Sequence, residues 1–189
     1  MWLRRVLHGV VRVAREDYFQ LFGLPAKFAI DRDALDATWR RLASRVHPDR
    51  HATAGAAERR VAMQWASTIN DAYRILKTPI ERARYLCEAA GCDLQAESNT
   101  RMNGEFLMRQ MEWRERLDEV RGLGNPVQVQ AIYDDILASR HETEQAVAHL
   151  IDEQHDFEQA AGKVREWMFI EKLLAEAQVL HNDFQDRSH

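Results

Sequence analysis

Apolar residues recur along this chain with the spacing of one face of an α-helix, and proline stands only where that spacing stops or starts. The four prolines are Pro25, Pro48, Pro79 and Pro126. Proline interrupts a helix because it lacks an amide hydrogen and its ring clashes with the preceding turn. No alternating run rich in Val, Ile and Thr is bounded by turn residues, so the sequence predicts no strands. The pattern therefore predicts an all-α fold.

The composition excludes several classes of protein. Hydrophobic residues make up 46% of the 189 residues and charged residues 30%, a balance that excludes a disordered chain. No apolar run approaches the roughly 20 residues needed to cross a bilayer, so no membrane partner is expected. Two cysteines are too few for a disulfide scaffold and favour a reducing compartment. The net charge of −4 argues against a protein that coats nucleic acid, so no nucleic-acid partner is expected.

Charge is distributed unevenly along the chain. Residues 1–15 carry four arginines and no acid. Residues 16–88 are close to balanced, with 12 basic and 10 acidic side chains, whereas residues 89–189 carry 10 basic and 20 acidic side chains. A basic front and an acidic back predict two modules with different partners.

Two amphipathic helices are predicted in the first module, after a short helix from Asp17 to Leu21. Asp31 is a suitable N-cap for the first of them, and Pro48 ends it because the residue before a proline avoids the helical conformation. The second helix runs over about residues 57–77. The apolar stripes are Leu35, Trp39, Leu42 and Val46 on the first helix and Val61, Trp65, Thr68, Ile69, Ala72 and Leu76 on the second. Facing stripes joined by a short loop predict an antiparallel helical hairpin.

Four further helices are predicted behind the hairpin. Thr78, Pro79 and Glu81 have the pattern of an N-cap, an N1 proline and a capping-box acid, and Gly91 marks the end of that helix. A polar joint at residues 92–103 is followed by three longer helices, over about residues 104–121, 127–154 and 157–184. The short connections between these three predict a three-helix bundle.

The segment His47-Pro48-Asp49 stands in the loop between the two hairpin helices. With His51 close by, a His and an Asp two positions apart have the composition of a metal-site fragment, but no second histidine or carboxylate pair stands at ligand spacing. As a catalytic dyad it lacks a nucleophile, because nothing activates Ser44 on the polar face of the preceding helix. By spacing alone, an enzyme or a metal carrier stays open beside an ordinary solvated loop. We expect no catalytic residue and no metal ligand here.

In its context the tripeptide resembles that of a J domain, the module by which co-chaperones engage DnaK-type heat-shock ATPases. The matching positions are Tyr18, Leu21 and Leu24 before the hairpin, the arginine-rich first hairpin helix, His47-Pro48-Asp49, and Asn70-Asp71-Ala72-Tyr73-Arg74-Ile75-Leu76. The resemblance implies docking on such an ATPase and acceleration of its ATP hydrolysis, with no chemistry in the J domain itself. The chaperone-binding residues that it implies are His47, Pro48, Asp49, Arg40, Arg41, Arg45 and Arg50.

Each of these residue types suits docking on another protein. Pro48 fixes a backbone angle and holds the loop extended, Asp49 offers a carboxylate that only accepts hydrogen bonds, and His47 supplies a ring with two hydrogen-bonding nitrogens. The arginines present positive charge to an acidic surface, which mainly raises the rate of association. A solvated helix face is the alternative interpretation of these arginines.

The helix predicted to begin near Gly104 has apolar residues on two faces. Trp113, Leu117 and Val120 fall within about 40° of Phe106, as a core stripe does. Measured from Phe106, Leu107, Met108 and Met111 fall at about 100°, 200° and 140°, beside Glu112, Glu115 and Glu119 at about 240°, 180° and 220°. An apolar patch rimmed by acids and opposite a core is a candidate protein-binding surface. The alternative is a central helix that is buried on both sides.

A J domain paired with this patch makes the chain resemble the HscB type of J protein, which serves iron–sulfur cluster assembly. The further matching segments are Phe106-Leu107-Met108, Met111-Glu112, Arg114-Glu115, Leu117-Asp118-Glu119, the segment from Asp17 to Pro25, and Arg82-Ala83-Arg84-Tyr85-Leu86. The resemblance implies a J domain and a three-helix bundle arranged roughly as an L. It also implies two protein partners, an HscA-type ATPase for the J domain and an IscU-type cluster scaffold for the bundle.

The resemblance implies a complete set of site residues and module boundaries. The scaffold-binding residues are Leu107, Met108, Met111, Glu112, Glu115, Glu119 and Phe169. For Phe169 the alternative is a place in the bundle core. The modules are a J domain with a linking helix at residues 16–90, a joint at 91–103 and a scaffold-binding bundle at 104–189. The implied function is that of a co-chaperone without a cofactor, and not of an enzyme; a J-domain co-chaperone that delivers a different client is the alternative.

Residues 1–15 and the two cysteines depart from the family pattern. The arginines and the lack of acids in residues 1–15 would suit a mitochondrial presequence, but the paired CxxC motifs that eukaryotic relatives tend to carry before the J domain are absent. We therefore expect a bacterial, cytoplasmic protein with a non-family extension at residues 1–15. Cys87 and Cys92 are half a zinc site at most, so we expect them to be packing residues.

Overall fold

The computed structural model describes residues 17–51, 55–94, 103–123 and 126–186. Their elements are α1 (Tyr18–Phe22), α2 (Arg32–Val46), a 3-10 turn (Pro48–His51), α3 (Ala56–Lys77), α4 (Pro79–Ala89), α5 (Gly104–Leu123), α6 (Pro126–His149), a π-helical turn (Leu150–Gln154) and α7 (Phe157–Asp186). The described residues form no strand, so the predicted all-α fold is confirmed. Residues 1–15, and most of the predicted joint, lie outside the described residues.

Contacts divide the chain into two compact units. The first contains α1, α2 and α3, and the second contains α4 to α7 together with the short segment 27–29. Helix α4, predicted to be a linking helix grouped with the J domain, belongs to the second unit with the bundle helices. None of the helices in the described ranges combines the length and the apolar character that a membrane span requires.

The first unit begins with a helix of five residues that is capped at both ends. The Asp17 carboxylate accepts hydrogen bonds from the amides of Phe19 and Gln20, at 3.0 and 3.2 Å. Gly23 ends the helix at a φ of 67°, where a side chain would be strained. Phe19 and Phe22 are buried, so this short helix contributes two aromatic rings to the core of the unit.

Helices α2 and α3 form the predicted hairpin through their apolar stripes. The Asp31 carboxylate caps α2 by accepting a hydrogen bond from the Ala34 amide at 3.0 Å. The buried stripe residues are Leu35, Leu42 and Val46 on α2 and Ile69, Ala72 and Leu76 on α3. Trp39 lies at the margin of this core, where its ring stacks on Tyr73 at 4.7 Å and its indole donates to Asn70. The hairpin is thus held by burial along its centre and by an aromatic and polar contact at its edge.

The core of the second unit is shared by α5, α6 and α7. Its buried residues are Phe106, Trp113, Leu117, Val120, Val129, Ile132, Ile136, Ile170, Leu173, Leu174, Ala177 and Leu180. The four from α5 are the predicted core stripe of that helix, and the three helices match the predicted three-helix bundle.

The predicted capping box at the start of α4 is wrong. Thr78 has the extended backbone of an N-cap, and Pro79 occupies the first turn, but the Thr78 side chain makes no capping hydrogen bond. Glu81 instead lies 3.2 Å from the guanidinium of Arg84 on its own helix. The ion pair engages the carboxylate that the capping box would have used.

The second predicted bundle helix is not a single α-helix. It changes at His149 into the π-helical turn Leu150–Gln154, which ends at His155 with a φ of 54°. Within this turn, the Asp152 carboxylate accepts hydrogen bonds from the amides of Phe28 and Ala29, at 2.7 and 2.8 Å. The segment 27–29 is thereby fixed within the second unit.

A second group of contacts holds the same segment. The Arg82 Nε donates to the Phe28 carbonyl at 2.7 Å, and its guanidinium lies 4.9 Å from the centre of the Phe28 ring. The Phe28 ring also meets Trp167 edge-on at 6.3 Å. Arg82 is buried, and these contacts supply the hydrogen bond and the aromatic face that its charge requires.

Candidate functional site

The His-Pro-Asp segment follows α2 in the first unit and presents its two polar side chains to solvent. His47 is the C-cap of α2, with φ and ψ of −59° and 133°, as the following Pro48 requires. The Arg50 amide donates to the His47 carbonyl at 3.0 Å and closes the 3-10 turn. Backbone contacts therefore shape this turn, while the side chains of His47 and Asp49 remain 58% and 89% exposed.

The ring of His47 has one nitrogen engaged locally. The Asp49 amide donates to its Nδ1 at 3.4 Å, and the Asp49 carboxylate lies 3.5 Å from the same nitrogen. The Nε2 atom of the ring and the exposed carboxylate of Asp49, which accepts hydrogen bonds, are left for a partner protein.

The four arginines assigned to chaperone binding are all exposed. Three of them lie on α2 and one in the 3-10 turn: Arg40, Arg41, Arg45 and Arg50. The Arg50 guanidinium reaches the Ser44 carbonyl at 3.5 Å, and the Ser44 hydroxyl donates to the Arg41 carbonyl at 3.0 Å. Ser44 is therefore engaged with its own helix and does not act as a partner of His47.

In the ranges that the structure describes, no group of three or more His, Cys, Asp or Glu side chains could hold a metal ion. The side chain of His51 lies outside the described residues.

Helix α5 in the second unit has two distinct faces. Phe106, Trp113, Leu117 and Val120 are buried in the core, whereas Met108 and Met111 are 74% and 61% exposed. Leu107 is half-buried, and Glu112, Glu115 and Glu119 are exposed around the methionines. The alternative in which α5 is buried on both sides is therefore wrong. We refer to Leu107, Met108 and Met111 as the apolar ridge.

Phe169 on α7 is half-buried and packs against the core of the second unit. Its ring meets the Phe106 ring edge-on at 6.5 Å. The guanidinium of Arg114 lies 5.4 Å from the centre of the same ring, and the Lys172 ammonium lies 6.0 Å from it. The Phe169 ring contacts the bundle core, as one prediction had it. Part of the ring remains accessible, which the other prediction, a scaffold contact, requires.

Arg114 and Lys172, which lie beside Phe169, are not among the predicted site residues. Arg114 belongs to the matching segment Arg114-Glu115 and follows the core residue Trp113, and Lys172 stands three residues after Phe169. A residue three positions away on a helix lies on nearly the same face. Which aromatic ring Arg114 meets depends on the packing of α5 against α7, and local sequence does not contain that information.

A partly exposed ion pair between Arg116 and Asp135 joins α5 to α6. The Asp135 carboxylate accepts from the Trp113 indole at 3.1 Å and from the Arg116 guanidinium at 2.6 Å. Burial by itself raises the pKa of Asp135, but the hydrogen bonds from Arg116 and Trp113 outweigh it, and the pKa lies below its usual value. Asp135 therefore stays ionised and orients the core indole of Trp113.

The two cysteines are free thiols in the second unit. Cys87 is buried, as expected for a packing residue, and burial raises its pKa to about 12. Burial also raises the pKa of the half-buried Cys92. Because the thiolate is the reactive and metal-binding form, these thiols are poorly suited to nucleophilic chemistry.

The fold is all-α, and an exposed His-Pro-Asp turn joins two antiparallel helices in the first unit. The second unit is a helical bundle that carries the exposed apolar ridge. These are the features of a J-domain co-chaperone. The comparisons with known proteins identify the particular family. Residues 102–178 match the family model described as the HSCB C-terminal oligomerisation domain. The chain belongs to the HscB family of co-chaperones.

The similarity to individual relatives extends over most of the chain. This chain is 57% identical to the co-chaperone protein HscB homolog of Bordetella parapertussis, over 87% of this chain and 95% of the relative. It is 43% identical to the co-chaperone protein HscB homolog of an Azoarcus species, over 84% of this chain and 90% of the relative. These relatives are described as co-chaperones and not as enzymes.

Two solved structures share the fold. The chaperone HscB from Vibrio cholerae matches with a TM-score of 0.78 and 35% identity, over 88% of this chain and 98% of that one. Human co-chaperone protein HscB matches in fold with a TM-score of 0.82 at 24% identity, over 89% of this chain and 84% of the human chain.

Proposed function

We propose that this protein is a co-chaperone of iron–sulfur cluster biogenesis that links an ATPase to a scaffold protein. The first unit stimulates ATP hydrolysis by an HscA/DnaK-type chaperone, and the second unit binds and delivers an IscU-type scaffold. The observation that carries the proposal is the exposure of Met108 and Met111 on a helix whose opposite face is core, in a chain of the HscB family. Under this proposal the protein is not an enzyme and needs no cofactor.

The proposed ATPase contact is made by His47, Pro48 and Asp49. The exposed imidazole of His47 and the exposed carboxylate of Asp49 are two hydrogen-bonding groups held two residues apart by the closed turn. A carboxylate exposed in this way pairs well with an arginine on the partner. The arginines at positions 40, 41, 45 and 50 add positive charge near the turn, which speeds encounter with an acidic ATPase surface.

The proposed scaffold contact is made by the apolar ridge, Glu112, Glu115, Glu119 and Phe169. An apolar centre with a polar rim is the composition of a protein interface. The two methionines offer flexible, polarisable side chains that adapt to a partner. The three glutamates, exposed around the ridge, favour a scaffold surface that carries lysine or arginine.

Joining the two contacts in one chain explains why the protein has two units. A scaffold bound to the second unit is carried to the ATPase whenever the first unit docks, so the second contact forms at a high effective concentration. We place this activity in the bacterial cytoplasm, which the bacterial origin of the relatives supports.

A two-part assay tests the proposal. The full chain is titrated by calorimetry with a purified IscU-type scaffold, and ATP hydrolysis by an HscA-type chaperone is then measured in single turnover with and without both proteins. We expect binding, and the largest hydrolysis rate when all three proteins are present. Stimulation of the ATPase without scaffold binding would show that the protein delivers a different client.

A further inference from the structure

We propose that Met108 and Met111 are an oxidation-sensitive site, and that converting their thioethers to sulfoxides releases the scaffold from the apolar ridge. This inference rests on the proposed function, because it concerns the regulation of the same surface. The modification is a two-electron oxidation by a small neutral oxidant such as hydrogen peroxide.

The accessibility of the two sulfur atoms supports the inference. Met108 and Met111 are 74% and 61% exposed, so an oxidant in solution reaches them without any opening of the fold. Met168 on α7 is half-buried and is correspondingly protected. Met63 on α3, at 65% exposed, is equally accessible but lies in the first unit. Oxidation follows exposure, so the ridge methionines and Met63 are expected to react before Met168.

The chemistry is complete with the residues and the named oxidant. The thioether sulfur attacks one oxygen of hydrogen peroxide, an S–O bond forms while the O–O bond breaks, and the other oxygen leaves as water after proton transfer. The sulfur loses two electrons and the peroxide gains them. Hydrogen peroxide is uncharged, so Glu112, Glu115 and Glu119 do not repel it.

The product is incompatible with the proposed interface. A sulfoxide turns a flexible apolar side chain into a polar, chiral one. To enter the interface, its oxygen must lose its hydrogen bonds with water, which is unfavourable unless the scaffold offers a donor. Oxidation at both positions leaves Leu107 as the one apolar member of the ridge.

The fold does not depend on these two side chains. Neither Met108 nor Met111 belongs to the buried core of the second unit, which α5 joins through Phe106, Trp113, Leu117 and Val120. Oxidation should therefore reduce scaffold affinity and leave thermal stability unchanged. The change is reversible, because dithiol-dependent methionine sulfoxide reductases return the thioether and convert two thiols to a disulfide.

The experiment uses the full chain, treated with hydrogen peroxide, freed of peroxide with catalase and only then mixed with scaffold. Peptide mass spectrometry follows the gain of one oxygen at each methionine, and calorimetry measures scaffold binding. We expect the dissociation constant to rise about tenfold or more when both ridge methionines are oxidised. Incubation with the two epimer-specific reductases should restore the original affinity.

Two variants separate the ridge from the rest of the chain. The double variant Met108→Leu/Met111→Leu keeps the apolar character without a sulfur, so its scaffold affinity should be unchanged by peroxide. The matched control Met63→Leu removes an equally exposed methionine elsewhere and should lose affinity on oxidation as the unaltered chain does.

The outcomes distinguish this inference from the function on which it rests. If the untreated chain does not bind the scaffold, the proposed function fails. If the untreated chain binds and keeps its affinity after both methionines are oxidised, the oxidation site alone is overturned. Equal loss of affinity in the Met108→Leu/Met111→Leu variant would likewise overturn it, because the loss would then come from other residues.

Discussion

The guanidinium of Arg114 on α5 lies 5.4 Å from the centre of the Phe169 ring on α7. The same ring packs edge-on against Phe106, which belongs to the core. Phe169 is therefore positioned from two directions, by a cation beside the proposed scaffold surface and by an aromatic ring beneath it. This explains how one residue supports the bundle and remains partly open to a partner.

We expect Arg114→Gln to weaken scaffold binding by at most a factor of about five, because an exposed cation–π contact contributes about 0.5–1 kcal/mol and only its ordering of the Phe169 ring bears on binding. The variant loses the charge above the Phe169 ring, and the ring becomes less well ordered. Calorimetric titration with the scaffold measures the effect. Arg121→Gln is a matched control on the same helix, since Arg121 pairs with Asp118 at 3.1 Å. An equal effect from both variants would mean that general charge, and not the contact with Phe169, is responsible.

Replacing His47 by Gln should abolish stimulation of the ATPase and leave scaffold binding unchanged. The side chain is exposed and outside the core, so stability should change by less than about 0.5 kcal/mol. Single-turnover ATP hydrolysis and scaffold titration are measured on the same preparation. His141→Gln makes the same chemical change at an exposed position on α6 and should retain full stimulation. Wild-type stimulation by His47→Gln would contradict the proposed ATPase contact.

Replacing Leu107, Met108 and Met111 together by Ala should weaken scaffold binding by about 30-fold or more, since central apolar residues of an interface contribute about 2 kcal/mol. Two of the three side chains are exposed, so the bundle should remain folded by circular dichroism. Met63→Ala in the first unit is the control and should bind normally. Unchanged affinity of the triple variant by calorimetry would remove the ridge from the proposed site.

Asp152→Ala should destabilise the second unit by about 1–3 kcal/mol, because the amides of Phe28 and Ala29 lose the carboxylate that accepts from them. Thermal unfolding followed by circular dichroism measures this loss. Asp134→Ala is a matched control, since Asp134 is exposed on α6 and accepts a hydrogen bond from Gln130 on its own helix. Equal stability of the Asp152→Ala variant and the unaltered chain would show that the two hydrogen bonds contribute little.

Acid should weaken the second unit partly through Asp135. Its pKa in the folded chain lies below the usual value, since Arg116 and Trp113 outweigh the effect of burial. A lowered folded-state pKa gives a stabilisation that is fully present above the unfolded-state pKa, near 4. It is lost as the pH falls through the folded-state pKa. Unfolding midpoints measured between about pH 2 and 6 should fall less steeply for Asp135→Asn than for the unaltered chain. Identical slopes would exclude this contribution.

Much of the fold was predictable because it depends on neighbours in sequence. Asp31 caps α2, which begins one residue later, as its position before the apolar stripe predicts. Asp17, predicted as the first residue of the short helix, is its N-cap. The stripes of α2 and α3, and the core face of α5, follow from the 3.6-residue repeat. The same repeat placed Met108 and Met111 away from the core, where the structure has them. The roles of these residues in binding remain proposals.

The predictions that failed were those in which a local pattern competes with other contacts. The capping box at Thr78 was wrong because Glu81 pairs with Arg84. The long helix predicted up to residue 154 changes at His149, where the π-helical turn aims Asp152 at two backbone amides. No feature of the segment around Asp152 predicts these two hydrogen bonds, because the amides belong to residues far away in the chain.

By itself, the sequence determined which segments are helical, which side of each helix is apolar, and where the His-Pro-Asp turn stands, since all three depend on residues within a few positions of one another. Only the tertiary structure decided that Asp152 holds Phe28 across 124 residues, and that Arg114 meets the Phe169 ring. Such pairs form because folded helices bring distant side chains together, and a helical repeat records which way a residue faces but not which residue it meets.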